Sequence, residues 1–365
     1  MKHLHFLTLA IAALALTMTG CNGNDPDQPA LLINLQVLST QAHVTVMAAD
    51  NETFFLTNPV SKAKLEQVGS LQTYVEQQLS ARSYEEAVAN AYFSKTLEEY
   101  NTPIYHPSTD YVVYACYVVP DEQGNARISG RIVSREFTTL PQYLLPGAFS
   151  VSPTKQVCFA EGNVVYQDGA YSCFTEQYNY ACASSGNKID MFQWDKIAEA
   201  TAQLSDFYVL SRDEWLYLLK ERPRADELFA HATVNNTHGV ILLPDNWHTP
   251  VGVSLKTSKA MGIVWNNSTY GYEASSEDYD GFAQNKLSLY QWSLLEFAGA
   301  VFLPAAGHNA TFVGKYGKYW ASTLREDIED SAHSIGFKQS DLSLYLLWGS
   351  ASKNYYFTFR LVHPL

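Results

Sequence analysis

Apolar runs and alternations divide the chain into stretches of different period. Residues 111–119 read Tyr-Val-Val-Tyr-Ala-Cys-Tyr-Val-Val, apolar at nearly every position, as expected of a strand covered on both faces. Turn residues 121–125 follow, and then a partner strand from Ile128 to Thr138. Leu32 to Ala48 is also strand material, with Val37, Val44, Thr45 and Val46 favouring extended structure. Between these strands Ser61 to Tyr100 changes to a helical period. Ser83 and Glu86 have capping-box spacing, and Ala87, Val88, Ala91, Tyr92 and Leu97 recur near one helix face. The pattern predicts two short helices interrupting a small β-sandwich.

Pro141, Pro146 and Gly147 mark a boundary, after which the spacing of elements changes. Phe149 to Phe159 reads as strand material, and Phe159 to Tyr166 as a strand pair running into Phe174. Ser211 and Glu214 form a second capping box before a helix reaching Lys220, and Ser288 with Gln291 a third, before a helix from Leu289 to Ala298 that Gly299 ends. Gly239 to Leu243 and Ala300 to Leu303 are short apolar runs closed by Pro244 and Pro304, which predicts buried strands. Segments 317–323 and 357–362 are the last two strand candidates.

The N-terminal pattern belongs to processing rather than to the fold. Lys2 is followed by an almost wholly apolar run from Leu7 to Leu16, too short to span a bilayer, and then by Thr19-Gly20-Cys21. This is the arrangement of a secretory signal with a lipobox, so Cys21 is the expected lipidated first residue of the mature chain. The polar stretch after it, with Asp25, Pro26 and Asp27, suits a flexible tether. The expected division is a signal peptide at 1–20, a lipidated tether at 21–30, a first domain at 31–140, a linker at 141–148 and a second domain at 149–365.

Composition narrows the partners. The formal charge is -13 over 365 residues, and removing Lys2 with the signal makes it one unit more negative, so a phosphate backbone would be repelled and no nucleic-acid partner is expected. Twenty-four Tyr, eighteen Phe and seven Trp supply both cores and recognition surfaces. Besides Cys21 the cysteines are Cys116, Cys158, Cys173 and Cys182. Bridges are open to them in an oxidising compartment, and Cys173 with Cys182 is the closest pair in sequence. Large domains do not need such staples, and free buried cysteine is common.

Two resemblances sharpen the fold. Ser108-Thr109-Asp110-Tyr111, the strand after it, the acidic-Gly turn and the closing Arg135-Glu136-Phe137-Thr138-Thr139 resemble the end of a fibronectin type III domain, which implies core roles for Tyr111 and Tyr114. The strings LLPDNW (242–247), AVFLPAAG (300–307), YWAST (319–323) and FTFRLV (357–362), in that order, resemble the C-type-lectin-like modules related to formylglycine-generating enzymes that occur in gut-bacterial surface lipoproteins. The expected fold class is therefore α+β: an N-terminal fibronectin III-like β-sandwich with a helical insertion, then a C-type-lectin-like fold. Trp320 and Arg360 match structural positions of that family.

The resemblance also limits the chemistry. Formylglycine-generating enzymes hold their metal with a late pair of cysteines, whereas this chain has no Cys after Cys182. The string Pro244-Asp245-Asn246-Trp247 departs from calcium-lectin loops, and Asp245 reads better as an Asx-turn residue than as a ligand. The acidic stretch 273–280 lacks calcium-loop spacing, and no nucleophile elbow accompanies the scattered histidines. No enzyme activity, cofactor or metal is expected.

What remains is recognition. Between Thr323 and Phe357, charged, aromatic and small polar residues interleave without a helical period, and the resemblance to lectin-like binders implies that this interval forms the ligand surface. The expected ligand-binding residues are Arg325, Asp327, His333, Lys338, Asp341, Tyr345, Trp348, Lys353, Asn354 and Tyr355. The expected function is that of an adhesin or display protein, held at the outer membrane by its lipid and exposed at the cell surface, binding an extracellular protein or glycan. The alternatives are a fimbria-associated structural subunit and, further off, an enzyme of the formylglycine-generating group.

Overall fold

A computed structural model describes residues 31–48, 54–80, 82–90, 97–101, 105–343 and 351–365. The fold is mixed α+β, with sheet predominating, and divides into two compact units between Thr139 and Leu140.

In the first unit, strand Asp110–Pro120 lies at the centre of its sheet. It pairs with Phe54–Leu56 and Val60–Ser61 on one side and with Ala126–Thr138 on the other, with a register shift between Ala115 and Tyr117. Side chains alternate across a strand, so its two faces can be read separately. Tyr111, Val113, Ala115 and Tyr117 pack with Val44 and Val46, which belong to a second sheet of Leu31–Val37, Ala42–Ala48 and Leu97–Asn101. Val112, Tyr114, Cys116 and Val118 pack with Val75, Leu79 and Ala87, supplied by helices Leu71–Ser80 and Tyr84–Asn90. Helices cover one face and a sheet the other, which accounts for the continuous apolar run. Among the described residues three helices occupy the segment where two were expected, the first being Lys62–Val68. The Ser83 capping box forms in both directions, with Glu86 N donating to Ser83 Oγ at 3.2 Å and Ser83 N to Glu86 Oε2 at 3.1 Å.

The second unit is built from short sheets joined by irregular chain. Strand Leu361–Pro364 pairs with Lys155–Phe159, which also pairs with Phe149–Ser152, so the last strand closes against the first two. The pair expected across Phe159 to Tyr166 does not form, because Val164–Gln167 pairs with Ala170–Cys173 instead. Phe229–Val234, Thr237–Leu242 and Val301–Pro304 form a buried sheet beside helix Leu289–Phe297, around Ile241, Trp292, Leu295 and Phe302. The capping boxes at Ser211 and Ser288 are both present. The helix after Ser211 runs from Arg212 to Leu216 and continues through a π turn, Tyr217–Glu221.

Residues 141–148, expected as a linker, are built into this unit. Leu144 and Leu145 are buried, and Leu145 N donates to Phe159 O at 3.0 Å. Gly147 passes so close to Gly299 that an added Cβ would lie 2.3 Å from the Gly299 carbonyl oxygen. Gly299 itself has φ +92, a conformation glycine adopts without steric cost at the end of a helix. The Pro/Gly content here reflects close backbone packing rather than freedom.

Candidate ligand-binding surface

A further sheet of this unit, together with the turns at its end, carries most of the expected binding residues. Its core is the antiparallel pair Gly317–Leu324 and Ser331–Lys338, with Asp341–Ser343 and Ala351–Ser352 both pairing to Ser331–Lys338. The register shifts between Trp320 and Leu324, leaving extra residues on the first strand opposite His333. Bulges of this kind re-aim side chains and are common beside functional sites. Thr323, within the bulge, accepts a hydrogen bond from Arg212 N at 3.0 Å, which ties the start of helix Arg212–Leu216 to the sheet.

The expected residues fall at two ends of this sheet. At one end, Leu324 pairs with Ala332 and Ala332 with Ala351, which places the turn 325–330 beside the turn 352–355. Lys353 N donates to Asp330 O at 2.8 Å, and Lys353 Nζ lies 2.9 Å from Asp330 Oδ1. Arg325, Asp327, His333, Lys353, Asn354 and Tyr355 are all at this end. Lys338 and Asp341 form an ion pair of 3.5 Å at the other. With about 3.3 Å of rise per strand residue, Lys338 stands about 17 Å along the strand from His333. Cys21, Tyr345 and Trp348 lie outside the described residues.

The side chains at the first end are less available than their types suggest. Arg325 forks onto Asp327, with Nε donating to Oδ1 at 2.9 Å and Nη2 paired with Oδ2. Its side chain is only 8% exposed, whereas that of Asp327 is 66% exposed. Arg212 is paired with Asp213 at 2.7 Å. Burial lowers the pKa of His333, and the charges of Arg212 and Arg325 lower it further. Two donors or acceptors, Arg325 Nη1 and His333 Nδ1, are buried with no hydrogen-bond partner. Asn354 contributes its backbone, its carbonyl accepting from Gln193 Nε2 at 3.4 Å. Tyr355 is 59% exposed.

Residues not singled out from sequence complete the surface. Leu324 and Ile328 on the first turn and Tyr356 after the second are exposed like Tyr355, so four of the nine exposed large apolar side chains among the described residues lie on these two adjoining segments. Such a concentration is unusual on soluble surfaces, where single exposed apolar residues are scattered. The only sequence signal for it was Leu324 and Ile328 interrupting a charged run. Glu326 and Glu329 are also exposed here.

No family model matches the chain, and neither a curated protein nor a solved structure matches it.

Elsewhere in the second unit, polar groups serve the core. Arg360, 1% exposed, donates through Nη2 to Gln177 Oε1 at 3.0 Å and to Phe302 O at 2.5 Å. Gln177 is fully used: Oε1 also accepts from Phe302 N at 2.7 Å, while Nε2 donates to Glu296 Oε1 at 2.9 Å and to Ala300 O at 3.2 Å. Burial pushes the Glu296 carboxyl up to about 8, so it is mostly neutral at pH 7. Trp320 is fully buried and donates through Nε1 to Phe192 O at 2.8 Å.

Asp245 has a role other than the expected Asx turn. Its carboxylate accepts from Ser150 N, Ser150 Oγ, Gln156 Nε2 and Arg222 Nη1, at 2.8, 2.7, 3.0 and 3.0 Å. It ties the first strand of the unit to the turn after Leu243. Cys116, Cys158, Cys173 and Cys182 are free thiols, so the pair considered between Cys173 and Cys182 is not bridged. Among the described residues no group of three His, Cys, Asp or Glu side chains is placed to hold a metal ion. The first unit has a groove of about 320 Å³ between helix Leu71–Ser80 and strand Ala126–Thr138, with Glu76 and Arg127 as its charged lining.

Proposed function

We propose that the chain is a lipid-anchored protein of the outer membrane surface whose C-terminal unit binds an extracellular protein or glycan. The observation that carries this reading is the clustering of exposed Leu324, Ile328, Tyr355 and Tyr356 at one sheet end. Tyrosine offers large contact area at low entropic cost, and binding energy concentrates in a few such side chains surrounded by polar residues. Held ion pairs on either side, Arg325 with Asp327 and Lys353 with Asp330, fix the turns that present them. The lipid anchor rests on Thr19-Gly20-Cys21 after the apolar run. Among the described residues no helix is long and apolar enough to cross a membrane.

The finer fold belongs to the same proposal. Two packed sheets in the first unit support the fibronectin III-like reading, with the helical layer as the departure from it. Short sheets carrying long irregular segments, closed by the pairing of Leu361–Pro364 with Lys155–Phe159, support the lectin-like one. The test is an array of extracellular glycans and matrix proteins probed with the full-length protein and with a Tyr355→Ala/Tyr356→Ala variant. The reading expects a retained ligand whose binding the double variant weakens at least tenfold. Equal binding by both proteins would place the ligand surface elsewhere.

A further inference from the structure

The charges at the exposed sheet end do not balance, and the imbalance lies on the outside. Turn 325–330 and Lys353 together hold two cations, Arg325 and Lys353, and four acids, Glu326, Asp327, Glu329 and Asp330. Each cation is already engaged by an acid of the same end, Arg325 by Asp327 and Lys353 by Asp330. The neighbouring Arg212 is engaged by Asp213. Glu326 and Glu329 have no ion-pair partner among the described residues, and both are exposed on either side of Ile328, itself 39% exposed. The group best suited to greet an acidic ligand, the Arg325 guanidinium, is sheathed at 8% exposure, while the Asp327 carboxylate covering it is 66% exposed.

A partner therefore meets exposed apolar side chains interspersed with exposed carboxylates. We propose that this end docks a partner protein whose matching surface carries Lys or Arg side chains around an aliphatic centre. The proposal rests on the reading of this end as the ligand surface and adds the chemistry of what it binds. Complementary charge at a rim steers encounter and rejects wrong partners, while a desolvated apolar centre supplies most of the affinity. Ile328 and Leu324 offer that centre, and the rings of Tyr355 and Tyr356 give faces that attract a cationic side chain. The net charge of -13 acts in the same direction, drawing basic surfaces and repelling acidic ones at low salt. An acidic glycan would face the unpaired, exposed Glu326 and Glu329, while the partly exposed Lys353 and Arg212 are already paired with Asp330 and Asp213.

The experiment compares immobilised probes: a peptide of alternating Lys and Ile, its charge-reversed Glu and Ile counterpart, and sialylated and neutral oligosaccharides. Full-length protein is compared with Glu326→Gln/Glu329→Gln, Ile328→Ser and Tyr355→Ala, and with Glu277→Gln/Asp278→Asn, which removes two exposed acids from a different loop. The expected result is preference for the Lys and Ile peptide, weakened at least tenfold by each of the first two changes and by less than twofold by the last. Equal loss in the two charge-neutralising variants would reduce the binding to bulk charge and overturn the proposal. Tyr355-dependent binding of the acidic peptide or of an oligosaccharide would overturn the partner chemistry while keeping the surface. Binding to every probe that is indifferent to Tyr355 and Ile328 would overturn both.

Discussion

Arg222 Nη1 lies 3.0 Å from Asp245 Oδ1 with the arginine side chain only 1% exposed, so one buried cation depends on one carboxylate for its charge. Burial alone would raise the Asp245 pKa, but bonds from Ser150 and Gln156 and the Arg222 charge outweigh it and hold the carboxyl below its ordinary value. Asp245→Ala leaves Arg222 buried without a counter-charge, which costs roughly 3–5 kcal/mol. Chemical denaturation should show that loss, and a change below about 1 kcal/mol would mean that Arg222 finds water instead.

Glu296 gives the stability of the second unit a pH dependence. Its folded pKa of about 8 lies above the ordinary 4.5, so the folded form holds a proton that the unfolded chain releases. The contribution is full below about 4.5 and is lost as pH rises through about 8. Glu296→Gln keeps an acceptor for Gln177 and removes the ionisation. Urea denaturation at pH 5, 7 and 9 should show the variant more stable than the parent by on the order of 1–2 kcal/mol at pH 9, with a flatter profile. Parallel profiles would show that Glu296 ionises freely.

Gly147→Ala tests whether 141–148 is structural. The added methyl would lie 2.3 Å from the Gly299 carbonyl oxygen, so backbone must shift. A loss of about 2 kcal/mol or more is expected, together with resistance of the parent to proteolysis at this stretch. Rapid cleavage of the native parent between Pro141 and Gly147 would restore the linker.

Local signals in the sequence carried over well, and distant ones did not. The boxes at Ser83, Ser211 and Ser288 are legible because their partners stand three residues away and the geometry is fixed by the helix itself. Asp245 was misread because its partners, Ser150, Gln156 and Arg222, are 95, 89 and 23 residues distant. Pro and Gly at 141–147 carry the same letters whether they free the chain or let two backbones touch. Within the candidate surface, sequence identified an interval but could not partition it. Lys338 stands five positions beyond His333 on the same strand, Ser331–Lys338, and Arg325 is paired with Asp327 at the other end.

That partition is testable. Lys338→Ala and Asp341→Asn should leave ligand binding within about twofold, since neither shares an end with Tyr355. A tenfold loss in either would join the two ends into one site.

The central claim is that the exposed end around Ile328 and Tyr355 is where the protein binds. The most direct measurement is amide hydrogen exchange of the full-length protein with and without the best-retained molecule from the extracellular array. The account predicts slowed exchange confined to residues 324–330 and 351–356. Protection centred on Lys338 to Asp341, or on the acidic loop 273–280, would contradict it.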